Sequence, residues 1–260
     1  MDLAAVEELV PAPAEGWRQG DAYLAGGTFL FSEPQPGVRR LLDLTAYGWP
    51  ALAVLPGGDL EIAATCTLAE LAASEKHVLF RQCCNALLGS FKVWSTATVG
   101  GNICLALPAG PMVSLGASLD ADCIVWDGQG GSAEIPVTRF VLGPRQNALR
   151  PGEFLRAVRI PAAKLASRTA FRQISLSPLG RSASLVIGRA DADGGCTVTI
   201  TAATPRPVQV RFATLPSPAD AAISSADAVA EWHDDVHGDP RWRAAMTRRL
   251  VAEVVEELRS

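Results

Sequence analysis

Apolar positions along this chain come in short runs, not long stripes, and their spacing switches between period two and period 3.6, which predicts a mixed α and β fold. Residues 3–9 carry a short helical pattern that Pro11 and Pro13 break. Asp21–Ala25 and Arg40–Leu44 read as strands, the first running into Gly26-Gly27. Ala53–Leu55 and Leu60–Ala64 flank Pro56-Gly57-Gly58-Asp59, the pattern of a hairpin. Thr67, with Glu70 three residues on, predicts a capping box opening a helix over Leu68–Ser74. Val78, Leu79, Cys83, Ala86 and Leu87 recur at helical spacing within residues 76–90, and Pro111–Leu119 fits a further helix. Cys123–Trp126 and Ala133–Val137 predict strands joined by Gly128-Gln129-Gly130-Gly131.

From Glu153 the texture changes. Phe154–Ile160, Ala170–Ser175, Ala183–Arg189 and Thr197–Ala202 look like strands with turn signals between them, among them Asp191-Ala-Asp-Gly-Gly195. The tail is helical over Ala219–Trp232 and Pro240–Leu258, the latter with Trp242, Met246, Leu250, Val254 and Leu258 on one stripe. A chain of 260 residues is too long for one minimal domain. A boundary near residues 161–167 divides it, with no internal repeat.

Charge narrows the functional classes. The 23 Lys+Arg and 27 Asp+Glu give a net charge of −4, which argues against nucleic-acid binding through net positive charge. Hydrophobic residues make up 48% and charged residues 19%, the latter below the usual ~25%, so the chain is ordered and its low-charge surface suits partner contacts. Aromatic residues are 6%, leaving few stacking platforms for bases. No positive amino-terminal region precedes an apolar segment, and no apolar run nears the ~18 residues of a membrane span, so a cytoplasmic protein is expected. The six cysteines form no CxxC pair and read as buried free thiols, which argues against Fe–S or zinc ligation within this chain.

GxSxG, P-loop and HExxH signatures are absent. His233-Asp-Asp-Val-His237 has ligand-like spacing but lacks a clear third ligand, and reads as a solvated helix end. Gly128-Gln-Gly130-Gly-Ser-Ala133 matches GxGxxA, yet the strand-like Glu134-Ile-Pro-Val-Thr138 follows it where a dinucleotide fold needs a helix. Two other glycine pairs carry more information: Tyr23-Leu-Ala-Gly-Gly-Thr-Phe-Leu30 and Thr96-Ala-Thr-Val-Gly-Gly-Asn-Ile103. Glycine lets successive N–H groups approach a ligand without a Cβ in the way, and such groups form anion-binding concavities. Two such loops suit a cofactor with a diphosphate; singly, each is also an ordinary turn.

Taken together these segments resemble the FAD-binding medium subunit of the xanthine dehydrogenase / carbon monoxide dehydrogenase family of molybdenum hydroxylases. Ala25-Gly-Gly-Thr28 is similar to the family's first flavin motif and Thr98-Val-Gly-Gly-Asn102 to its second, usually written TIGGN. Leu60–Leu71, Leu142–Leu149, Pro151-Gly-Glu153, Val158–Pro161, Pro205–Val208 and Trp242-Arg243 resemble further family segments in the same order, so the likeness spans about residues 20–258. It implies an α+β fold: a two-lobed FAD-binding domain of the PCMH or vanillyl-alcohol-oxidase-like type (1–55 and 56–164), then a C-terminal α+β domain (165–260) with a small antiparallel sheet and helices.

The resemblance also implies a role. A molybdenum-cofactor large subunit would oxidise an aldehyde, N-heterocycle or xanthine-type substrate, a small subunit would relay electrons through two [2Fe–2S] clusters, and the FAD of this chain would pass them to a soluble acceptor. No side chain here need be an acid–base catalyst. Carried over by position, Leu24, Ala25, Gly26, Gly27, Thr28, Phe29 and Leu30 with Thr98, Gly100, Gly101 and Asn102 would wrap the diphosphate and ribityl region. Cys104 falls at a further contact position, Leu155 would lie against the isoalloxazine ring, and Arg172 stands where relatives often place a basic residue near the flavin. The chain departs from the pattern at Trp94-Ser95, where relatives have Arg-Asn; at Pro111, where they carry an Asp; and at Phe29, where a polar residue is frequent. Each departure removes a hydrogen-bonding group of about 0.5–1.5 kcal/mol. Two readings stay open beside the electron-transfer subunit: an FAD-deficient paralogue serving assembly or scaffolding, and a stand-alone flavin oxidase or reductase.

Overall fold

The computed structural model describes residues 5–12 and 16–260. Three short strands come first, β1 (Glu8–Pro11), β2 (Asp21–Leu24) and β3 (Arg40–Asp43), followed by a 3-10 turn over Leu44–Tyr47. The hairpin β4 (Leu52–Val54) and β5 (Leu60–Ala63) leads into five helices: α1 (Leu68–Ala73), α2 (Val78–Ala86), α3 (Phe91–Trp94), α4 (Val99–Leu105) and α5 (Pro111–Ser118). A second hairpin, β6 (Asp122–Trp126) and β7 (Ser132–Pro136), precedes the helical turn α6 (Val137–Phe140). A small hairpin, β8 (Val141–Gly143) and β9 (Gln146–Asn147), then leads to β10 (Phe154–Ile160). After α7 (Ala162–Leu165) come β11 (Arg168–Ile174), β12 (Ser184–Ala190), β13 (Cys196–Thr201) and β14 (Val208–Phe212), and the chain ends in α8 (Pro218–Asp227) and α9 (Pro240–Arg259).

The strands form three main sheets, ordered β1-β3-β2, β4-β5-β10-β6-β7 and β11-β12-β13-β14. The first is parallel, and its edge strand β1 corrects the helix expected over residues 3–9: Glu8–Pro11 pairs with Arg40–Asp43. Val10 and Ala12 bury against Leu42 and Leu44, and Pro11, which lacks an N–H, sits on an edge strand where it is tolerated. Residues 3 and 4 of that expected helix, and Pro13, lie outside the described residues. The other two sheets are antiparallel.

Two helices stop earlier than their patterns predict, α2 at Ala86 and α8 at Asp227. The buried face of α9 is Arg243, Thr247, Leu250, Val251, Val254, Val255 and Leu258, so its first two turns bury polar residues rather than Trp242 and Met246. Both are satisfied: Thr247 bonds Ser184 at 2.7 Å, and Arg243 donates to main-chain carbonyls.

Every residue of α5 is buried, because it packs on β12 and β13 of the third sheet and against α2, α4 and α6. The third sheet is therefore covered on both faces, by α5 on one and by α8 and α9 on the other. Along β13 the alternation is literal: Cys196, Val198 and Ile200 pack with α9, while Thr197 and Thr201 bond Arg189 and Ser114 on the opposite face. Between the first and second sheets the core is aromatic. Tyr23, Tyr47, Trp49, Trp126 and Phe154 interlock, with ring centroids 4.4 Å apart for Tyr47–Trp49 and 4.7 Å for Tyr23–Phe154. Arg156 lies over Trp49 at 4.8 Å, and Trp17 stacks on Tyr23. No helix among the described residues is long and apolar enough to cross a membrane.

Candidate functional site

Residues of the first two sheets and of the connections of the third line one cavity of about 770 Å³, within the range of small-molecule sites. The Tyr23–Leu30 loop forms one wall and α4 with the following Leu107–Gly110 runs along it. Phe154 and Leu155 of β10 and the tip of the β8–β9 hairpin add to the lining. Arg181, Ser182, Ala202, His233, Asp235 and Arg243 close it from the C-terminal side.

After β2 the chain turns sharply at Gly26-Gly27, and the turn is closed by Phe31 N–H to the Gly27 carbonyl and Ser32 N–H to the Phe29 carbonyl, both 2.9 Å. No described residue accepts a hydrogen bond from the backbone N–H of Gly26, Gly27, Thr28, Phe29 or Leu30. A run of unpartnered donors beside a cavity is an anion-binding surface. The two glycine motifs also touch. A Cβ on Gly26 would stand 1.9 Å from the carbonyl oxygen of Thr96, so only glycine lets the first loop lie against the strand-like entry to α4.

The second motif differs from the loop that its sequence suggests. Val99-Gly-Gly-Asn102 is the first turn of a helix, with Thr98 as its N-cap accepting from Gly101 N–H at 3.1 Å. The Val99 and Gly100 N–H groups go to the carbonyls of Cys66 and Ala64, both 2.9 Å. These donors are used within the chain, which corrects the expectation that backbone N–H groups around both glycine pairs stay free for a ligand. Gly100 serves packing instead: a Cβ there would lie 2.7 Å from the Ala64 carbonyl oxygen. Asn102 accepts from Met112 N–H at 3.0 Å and so fixes the start of α5. Its side-chain amide NH₂ has no partner among the described residues.

Leu24–Leu30, Thr98, Gly100, Gly101, Asn102, Cys104 and Leu155 all line this cavity. Arg172 does not. It lies on β11 and pairs with Glu253 at 3.4 Å and Glu257 at 2.7 Å on α9, on the outer side of the third sheet. Of the departures from the family pattern, Phe29 lies under the Arg145 guanidinium at 4.9 Å, and Pro111 is the first residue of α5, where a missing N–H costs nothing. The indole N–H of Trp94 is buried without a partner among the described residues.

Sequence reasoning missed several lining residues. Arg145 lies at the tip of the β8–β9 hairpin with a φ of +59° and holds Glu33 at 2.6 Å, tying that hairpin to the first loop. Tyr23 donates to the Gly152 carbonyl at 2.9 Å. Burial, aided by Tyr47 and Asp21, pushes its phenol up to about 12, and burial pushes the Cys104 thiol up to about 12 as well. The segment read as a solvated helix end, His233–His237, is instead a non-helical connection between α8 and α9 that brings His233 and Asp235 to the cavity. Burial pushes the Asp235 carboxyl up, but the His237 N–H and the Arg243 charge outweigh it and hold the group below its ordinary range. No group of three or more His, Cys, Asp or Glu among the described residues could hold a metal ion.

Residues 6–163 match the family described as FAD binding domain in molybdopterin dehydrogenase. No curated protein matches the chain. Among solved structures, the fold superposes on a chain of reconstituted CO dehydrogenase from Oligotropha carboxidovorans with a TM-score of 0.83, at 21% identity over 98% of each chain. It superposes on a chain of quinoline 2-oxidoreductase from Pseudomonas putida 86 with a TM-score of 0.80, at 20% identity over 99% of this chain and 98% of that one. Carbon monoxide dehydrogenase from Hydrogenophaga pseudoflava gives 0.79, at 19% identity over 96% of each. At these identities the likeness is one of fold.

Proposed function

The chain belongs to the family of FAD-binding domains of molybdopterin dehydrogenases, its cofactor is FAD, and from that premise we propose that it is the electron-transfer subunit of a molybdenum hydroxylase. In this reading it takes electrons from [2Fe–2S] clusters of one partner subunit, while a second partner carries the molybdenum cofactor and oxidises an aldehyde, N-heterocycle or xanthine-type substrate. A soluble acceptor removes the electrons. The solved relatives named above act on carbon monoxide or quinoline, which supports that class of partner chemistry.

The observation that carries the reading is the run of unpartnered N–H groups over Gly26–Leu30 on the wall of the cavity. Those donors fit the FAD diphosphate, whose oxygens need partners once water is excluded. FAD, when bound, supplies the redox chemistry by exchanging one or two electrons. The residues of this chain hold and shape it. Gly26 lets the two motifs close on each other, Gly100 lets α4 pack on Ala64, the free amide of Asn102 offers a further donor, and Leu155 with Leu105 and Leu149 gives the apolar surface that a flat ring system requires. Arg145 secures the first loop through Glu33. We read the chain as three units, 1–55, 56–164 and 165–260, each built around one sheet except that β4 of the second sheet falls in the first unit, with the cofactor held among them.

Two measurements test the proposal. The purified full-length chain should show the visible absorbance of a flavin, or acquire it on addition of FAD. A chain that stays colourless after reconstitution defeats the flavoprotein reading. Purification from its native cells should bring down molybdenum and iron in associated subunits; an active chain isolated without them contradicts the electron-transfer role.

A further inference from the structure

His233 reaches the cavity from the connection between α8 and α9, with its main-chain N–H fixed to the Ala203 carbonyl at 2.9 Å. Its Nε2 stands 3.3 Å from Asp235 Oδ2. Asp235 is held in turn by Arg243, whose side chain is 1% exposed. Arg243 also donates to the carbonyls of Gly238 at 2.7 Å, Ala183 at 2.7 Å and Ala202 at 2.5 Å. A carboxylate at Nε2 keeps a proton there and leaves Nδ1 available to a further partner. No described residue bonds Nδ1.

Asp235 is shared between His233 and the buried Arg243. On its own segment the other ionisable neighbours are Glu231, Asp234, His237 and Asp239. The remaining charged side chains lining the cavity are Arg181, from the β11–β12 connection, and Arg145, already paired with Glu33; Ala202 and Leu107–Gly110 bring none. Tyr23 and Cys104 stay neutral, each pushed up to about 12 chiefly by burial. Among the described lining residues, His233 is the one that brings an imidazole to the cavity.

We propose that His233 is a proton-linked contact for FAD: binding of the negatively charged cofactor draws a proton onto the imidazole, which presents Nδ1–H to it. This rests on the reading that the cavity holds FAD. The sign follows from charge. The anionic cofactor stabilises the imidazolium, so affinity falls as pH rises and the proton is lost.

The test is equilibrium dialysis of FAD against the FAD-stripped full-length chain between about pH 6 and pH 8.5, where the cofactor itself keeps its charge. The wild-type affinity should fall about tenfold across that range. His233→Gln should be flat and resemble the wild type at high pH, while His237→Gln should keep the wild-type slope. A flat wild-type profile, an unchanged slope in His233→Gln, or a slope lost equally in His237→Gln overturns the assignment. Should His233→Gln fail to fold, titration calorimetry of the wild type at neutral pH in two buffers of different ionisation heat decides: proton uptake on binding supports the proposal, and none overturns it. Absence of FAD binding at every pH would overturn the flavoprotein reading itself, a distinct result from pH-independent binding.

Discussion

Gly26 sits where two backbones meet, and its replacement is the most informative single change in the cavity wall. Gly26→Ala forces a Cβ to within 1.9 Å of the Thr96 carbonyl oxygen, and neither backbone has a rotamer with which to yield. The expected outcome is a loss of about 1–3 kcal/mol in urea unfolding, together with weakened FAD uptake. Asn102→Ala removes the acceptor of the Met112 N–H and should lower stability by about 0.5–1.5 kcal/mol, read the same way. These positions were legible in the sequence because so few residue types satisfy what they do. Glycine pairs beside short polar residues announce a close approach whatever surrounds them. His233 and Arg243 were not legible, since their roles depend on Ala183, Ala202, Ala203 and Gly238, carbonyls that only folding brings to one point.

At the scale of elements, α4 shows why a motif can be recognised while its local structure is misjudged. Two glycines at the start of a helix are poor helix formers, so propensity favours a loop there. The helix forms because Thr98 caps it and because the Cys66 and Ala64 carbonyls take its first donors. Thr98→Ala should therefore cost about 1 kcal/mol by chemical denaturation, as for other N-caps. Thr67→Ala, which dissolves the capping box on α1, should cost a similar amount of roughly 1 kcal/mol without altering FAD affinity, since Thr67 does not line the cavity. The hairpins around Gly57-Gly58 and Gly128–Gly131 and the meander from β11 to β13 were readable because each pairs with its neighbour through a turn whose chemistry is local. β1 was not. Its partner β3 lies about thirty residues away, and a parallel pairing leaves no turn signal between them.

For the whole molecule, the joint between α5 and the third sheet is a charge network. Arg189, with no exposed side-chain surface, donates to the Ser118 carbonyl, to Asp120 at 2.6 Å and to Asp191 at 2.8 Å. Lys164 reaches Asp191 at 2.9 Å, and Arg211 reaches Asp120 at 2.6 Å. Arg189→Met leaves Asp120 and Asp191 with only Arg211 and Lys164 as cations and should destabilise the chain by about 1–3 kcal/mol, measurable as a lowered Tm. The same joint makes the fold sensitive to acid. Burial raises the Asp191 carboxyl, but bonds from Arg189, Lys164 and Ser167 outweigh it and hold the group down to about 2. Its contribution is thus complete above the ordinary carboxylate pKa and is lost as pH falls toward about 2, so Asp191→Asn and wild type should converge in stability across that window. The opposite joint, between the first two sheets, is where the scarce aromatic residues gather, and two of its members, Tyr23 and Phe154, also line the cavity. That arrangement gives the protein a built-in optical reporter. Trp17, Trp49 and Trp126 lie close enough to a flavin in the cavity for excitation to pass to it, so cofactor entry and loss should register as a fall and recovery of tryptophan emission in the unlabelled chain.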